Sequence, residues 1–120
     1  MKSTMLGLAT AILTAVGSAH AQDSSPGNAE AGAVVFRRCM ACHKVGPDAK
    51  NGVGPVLNGV VGRAAGAYPD YNYSTANKNS GLTWDEPTLT TYLRAPRKLV
   101  PGTKMTFAGL SKDQEVADVI

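Results

Sequence analysis

Aromatic side chains are scarce in this sequence: one Trp, four Tyr and two Phe among 120 residues. Cysteine and histidine are scarcer, with two of each. So little bulk beside 13 Gly and 7 Pro argues against a large side-chain core and for long loops. Something other than side chains should fill the middle. The length allows one small domain. No alternating apolar and polar pattern is long enough to build a sheet. Apolar runs are short too: the longest, Met5 to Val16, falls below the roughly 20 residues a membrane helix needs.

That run follows Met1-Lys2-Ser3-Thr4 and precedes Gly17-Ser18-Ala19-His20-Ala21, whose small residues suit an A-x-A cleavage site. Residues 1–21 are therefore predicted to be a cleaved secretory signal, the alternative being an uncleaved anchor. The mature domain is predicted to be residues 22–120, in the periplasm, with no integral membrane segment after processing. Charge is unevenly spread. Residues 37–112 hold eleven of the 12 Lys and Arg but only Asp48, Asp70, Asp85 and Glu86 of the nine acids. Such a face is either ordinary solvated surface or a cationic patch that steers docking onto an acidic partner. No basic cluster is denser than Arg37-Arg38 or Arg97-Lys98, so nucleic acid is not expected as a partner.

The two cysteines stand in Cys39-Met40-Ala41-Cys42-His43. In an oxidising compartment two cysteines would ordinarily pair, but this spacing is the attachment signature of a c-type haem. Both thiols add to the vinyl groups and His43 binds iron. Residues three apart share one face of a helical turn, and the next can swing an imidazole under the ring. A thioredoxin-like pair would need a βαβ pattern, and a zinc site would need further Cys or His. Neither is present.

Elimination narrows the opposite face. His20 leaves with the signal, so His43 is the last histidine. Met1 and Met5 leave too, and Met40 is trapped between the attached cysteines. Met105, in the turn-rich Pro101-Gly102-Thr103-Lys104-Met105, remains. A loop methionine is often mere filling; as a ligand it would raise the reduction potential and leave substrate no open coordination position.

Local signals predict an all-α chain. Asn28 caps a helix reaching Cys39, with Gly32, Phe36 and Cys39 on one face and Gly32 admitting another helix closely. Residues 44–73 read as loop. Ser74 caps a short helix through Asn79. Asp85 starts another that runs to Arg94, with Leu89, Tyr92 and Leu93 inward and Pro96 as its stop. Ser111 and Gln114 form a capping box for a last helix carrying Val116, Val119 and Ile120.

Gly32 to His43, Gly54 to Gly66, Tyr73 to Trp84, and Tyr92 to Leu110 together resemble a class I c-type cytochrome over residues 28–120. The resemblance implies helices wrapped around one covalent haem c, with His43 and Met105 as iron ligands. It implies that the Pro55 carbonyl accepts from His43, and that Arg63, Tyr73, Ser74 and Trp84 surround the propionates. Asn77, Tyr92 and Thr103 would form a polar network near Met105, and Phe107 would shield the haem edge. Leu57, Leu82 and Leu99 would add apolar wrapping.

The function implied is one-electron transfer by a monomeric carrier between redox proteins. A cytochrome bc complex, a terminal oxidase, a reaction centre or a periplasmic dehydrogenase would serve. Docking would use a basic rim of Lys44, Arg97, Lys98, Lys104 and Lys112. The alternative is a haem enzyme or a gas or redox sensor with Met105 displaced. One departure bears on it: family members run the last helix on past the position of Ile120 to cross the first. Either the sequence is a fragment or the partner of the first helix is short.

Overall fold

A computed structural model describes residues 26–120; the signal sequence expected over 1–21 lies outside them. The described residues form α1 (Ala29–Phe36), α2 (Thr75–Lys78), α3 (Glu86–Arg94), α4 (Pro96–Leu99) and α5 (Asp113–Val119). Extended pairing among them is a single antiparallel bridge between Ala64 and Thr83.

Capping sets the starts. Asn28, Ser74 and Asp85 each accept a backbone N–H three residues on, at 3.0, 3.0 and 2.9 Å, satisfying donors the first turn leaves unpaired. Three expectations are corrected. Regular α1 ends at Phe36 rather than Cys39, because Arg37, Arg38 and Cys39 bond to Val34, Val35 and Phe36 in tighter three-residue turns. Pro96 ends α3 but also opens α4, since proline suits a first helical position where no N–H is needed. The Ser111/Gln114 capping box does not form. Lys112 precedes α5 without a side-chain cap, and Gln114 instead donates to Asp118 at 2.8 Å.

The ends of the described chain meet. α1 packs on α5, where Gly32 is buried against the Asp118 carbonyl. Asp118 Oδ1 accepts from Asn28 N at 2.9 Å across 90 residues. Arg38 makes a bidentate pair with Glu115 at 3.1 and 2.9 Å. The first helix thus buries Val35 with Val116 and Leu110, while Phe36 is only half-buried. A second cluster holds Trp84, Leu89, Tyr92 and Val100, the Trp84 and Tyr92 rings 4.6 Å apart. Leu93 and Ile120 pack against both.

The Arg38 hydrogen bond depresses the Glu115 carboxyl, with Lys112 helping and Asp118 opposing. Asp85 is depressed by its bonds to Thr88. A depressed native carboxyl stabilises the fold above its unfolded pKa, roughly 3.9 to 4.3, and that stabilisation is lost as pH falls through the native value. Both groups are solvated, so the effect is small. Glu115→Gln should therefore flatten the fall in urea midpoint between pH 6 and pH 3. An unchanged slope would show that the pair contributes nothing.

Candidate functional site

The tight turns after α1 carry Cys39, Cys42 and His43 into one compact group. Cys42 N and His43 N both donate to Cys39 O, at 3.1 and 2.9 Å. Cys39 and Cys42 are not joined in a disulfide, and both are half-buried. Before attachment, burial holds the Cys39 thiol above its ordinary value, and the Arg38 charge offsets part of that rise.

Gly54 N donates to Cys42 O at 2.8 Å and brings the next loop onto this segment. A β-carbon at position 54 would lie 2.6 to 2.9 Å from Cε1, Nδ1 and Nε2 of His43 alike. Glycine is thus required because backbone lies flat on the imidazole. One residue on, Pro55 O lies 2.8 Å from His43 Nδ1. A carbonyl can only accept, so the proton sits on Nδ1 and the Nε2 lone pair is free for a metal.

Met105 packs on the Trp84/Tyr92 cluster. The Tyr92 hydroxyl points at its sulfur at 3.8 Å and lies 3.5 Å from Thr103 Oγ1, which also accepts from Met105 N at 3.2 Å. Burial pushes the Tyr92 phenol up, with the Thr103 contact acting the other way, so the hydroxyl is a neutral donor.

Arg63 donates to Val56 O at 3.1 Å and Asn58 O at 3.3 Å and lies 4.9 Å over the Tyr68 ring. Its carbonyl accepts from Trp84 N at 2.8 Å. Tyr73 OH accepts from Tyr68 N at 3.1 Å, and Ser74 Oγ is occupied capping α2. Arg63, Tyr73 and Trp84 are thereby joined through their neighbours. Asn77 has a buried Oδ1 without a partner, and no side-chain bond links it to Tyr92 or Thr103 among the described residues. Phe107 is half-buried and packs with Val35, Leu110 and Val116.

Among the basic residues, Lys44, Arg97, Lys98, Lys104 and Lys112 are exposed. The ion pairs among the described residues engage Arg38 and Arg94 instead. Sequence reasoning missed Asn51, whose Oδ1 accepts from Val56 N at 3.0 Å and whose Nδ2 donates to Pro69 O at 3.0 Å. It also missed Tyr71, whose hydroxyl donates to Val53 O at 2.7 Å. The Asn51-Gly52 turn was a visible signal for the first; nothing local marked the second.

The donor set fits a haem. Two adjacent thiols supply thioether links, a glycine-backed imidazole presents a free Nε2, and Asn77 Oδ1 is a buried acceptor without a protein partner. The fold and this site define a mono-haem c-type cytochrome.

The Cytochrome c family model matches residues 29–120. Over all 120 residues the chain is 52% identical to cytochrome c2 of Rhodomicrobium vannielii and covers 93% of it. Over 89 residues, 74% of this chain and 83% of the relative, it is 61% identical to cytochrome c2 of Rhodoblastus acidophilus. The solved structure of cytochrome cH from Methylobacterium extorquens matches with a TM-score of 0.73 at 50% identity, covering 78% of this chain and 93% of that one. The chain belongs to the cytochrome c family. It carries one haem c, bound covalently through Cys39 and Cys42, and is an electron carrier rather than an enzyme. No described helix is long and apolar enough to cross a membrane.

Proposed function

We propose that the protein is an exported, periplasmic, monomeric carrier whose haem iron is held by His43 and Met105. The observation that carries this ligand assignment is the pair of prepared side chains. His43 is fixed by Pro55 O on a glycine bed, and the sulfur of Met105 is addressed by Tyr92 OH at 3.8 Å. When bound, haem supplies a one-electron ferric/ferrous couple.

The chain's own residues set its working conditions. Pro55 orients the imidazole and raises its basicity. Tyr92 holds the sulfur and Thr103 the Met105 backbone N–H, and the apolar cluster keeps water from that side. Arg63, Tyr73, Ser74 and Trp84 serve the propionates, which would be costly to bury without donors, and Asn77 belongs with Tyr92 and Thr103 to the polar network near Met105. Phe107 shields the rim.

Partners of this reading are acidic redox proteins, such as a cytochrome bc complex, a terminal oxidase, a reaction centre or a periplasmic dehydrogenase. Lys44, Arg97, Lys98, Lys104 and Lys112 form the docking rim. Contacts of this kind are small, transient and charge-steered.

The exported protein should show covalent c-type bands when reduced, a weak far-red methionine–iron band when oxidised, and a mass beginning at Gln22. Attached haem without the far-red band would refute ligation by Met105. Its electron exchange with an acidic partner should slow as salt rises, since exposed charges are screened beyond roughly 10 Å at 0.1 M. A rate indifferent to ionic strength would remove the basic rim from the mechanism.

A further inference from the structure

Beyond the residues already given a role, three loops at 51–56, 68–73 and 101–105 are joined by contacts that support no helix. Half-buried Tyr71 stands where they cross. Its hydroxyl donates to Val53 O at 2.7 Å. Its ring lies 4.8 Å from Lys104 Nζ, and the same ammonium donates to Asn72 O. An edge-on contact with Tyr73, centroids 4.8 Å apart, fixes the plane of the ring. Val53 directly precedes Gly54, the bed of the His43 ring, and Lys104 directly precedes Met105.

We propose that Tyr71 is a positioning residue that straps the loop behind His43 to the loop bearing Met105. The hold of Met105 on iron would then depend on a bond made to the loop that backs His43. The inference rests on the His43/Met105 reading and extends it to residues outside the ligand set.

Loops with few buried contacts open at low cost, and Met105 can leave iron only if its loop moves. Lys104 resists that movement through the aromatic face and the Asn72 carbonyl. Yet both holds sit on another loop, which must itself be anchored. Asn51 anchors Pro69, but a turn at Asp70, with φ +57°, separates that bond from Tyr71. The hydroxyl on Val53 is therefore Tyr71's own anchor. The two ends act in series: with either end cut, the other restrains nothing, so their loss should not compound.

Imidazole titration of the ferric holoprotein tests this, because imidazole takes iron only from molecules whose Met105 is off. Its apparent affinity reports the open fraction. Tyr71→Phe, which removes only the hydroxyl, and Lys104→Gln should each raise imidazole affinity about fivefold. The double variant should stay near that same value of about fivefold. Lys104→Arg should remain within about twofold of the unaltered protein, since a guanidinium keeps the contact with the ring.

An unchanged affinity in Tyr71→Phe overturns the strap, whatever happens to global stability. So does a double variant showing the product, about 25-fold. Absence of the far-red band from the unaltered protein overturns the Met105 reading and the strap together. A normal band with no imidazole effect overturns the strap alone.

Discussion

Replacing Met105 with Ala is expected to abolish the far-red band and lower the reduction potential by on the order of 100 mV, within the roughly 0.8 V that axial ligation spans. Imidazole should then bind ferric iron without having to displace a protein ligand. The expectation is large because no substitute is at hand: Met1 and Met5 lie in the expected signal sequence, and Met40 lies between the two attached cysteines. A thioether favours the ferrous state, and its removal withdraws that preference. The Tyr92 hydroxyl, buried and neutral, would lose the sulfur it addresses and add to the cost. Absorption spectra and a redox titration of the variant check this. A persistent far-red band or an unmoved potential would refute ligation by Met105.

Gly32→Ala should be the most destabilising single-methyl change in the helical seam. The added β-carbon would lie 2.7 Å from the Asp118 carbonyl carbon and inside the contact radius of its oxygen. Backbone cannot rotate away as a side chain can. Overpacking commonly costs about 1 to 3 kcal/mol, and a rigid target places this change at the upper end. A loss of about 3 kcal/mol lowers the melting midpoint of a domain this size by roughly 15 °C. Val34→Ala, two residues on and 56% exposed, should shift stability by no more than about 0.5 kcal/mol. Equal melting midpoints for the two variants would mean that α1 and α5 can separate freely.

Much of this was legible because short-range chemistry fixed it. Asn28, Ser74 and Asp85 cap helices as their side chains predict, and Gly32 admits α5 as a bare backbone should. The Cys39-Met40-Ala41-Cys42-His43 run specifies the covalent cofactor almost alone, since the redox-pair and zinc chemistries that share the cysteine spacing need partners this sequence lacks.

Part of what failed depended on partners far along the chain. Ser111 and Gln114 have the right types for a capping box. However, Glu115 is drawn to Arg38 across 77 residues, and Gln114 finds Asp118 on its own helix. The face of α1 turned out to be set by Val35 against Val116 rather than by Phe36, because the direction from which α5 approaches cannot be read from α1. Pro96 reads locally as a stop, yet a proline that ends one helix and begins the next carries the same local signal. The Tyr71 contacts were invisible for the same reason, since they arise only when three separate loops meet.

The bond from Asn28 N to Asp118 gives the described chain the form of a ring fastened at one seam. Everything between hangs from that junction, so the loops can open and reclose without disturbing it. Backbone amides inside α1 and α5 should exchange with solvent only when the whole molecule unfolds, whereas those of residues 101–105 can exchange through small local openings. The seam is therefore expected to open last, and the loop that carries Met105 among the first.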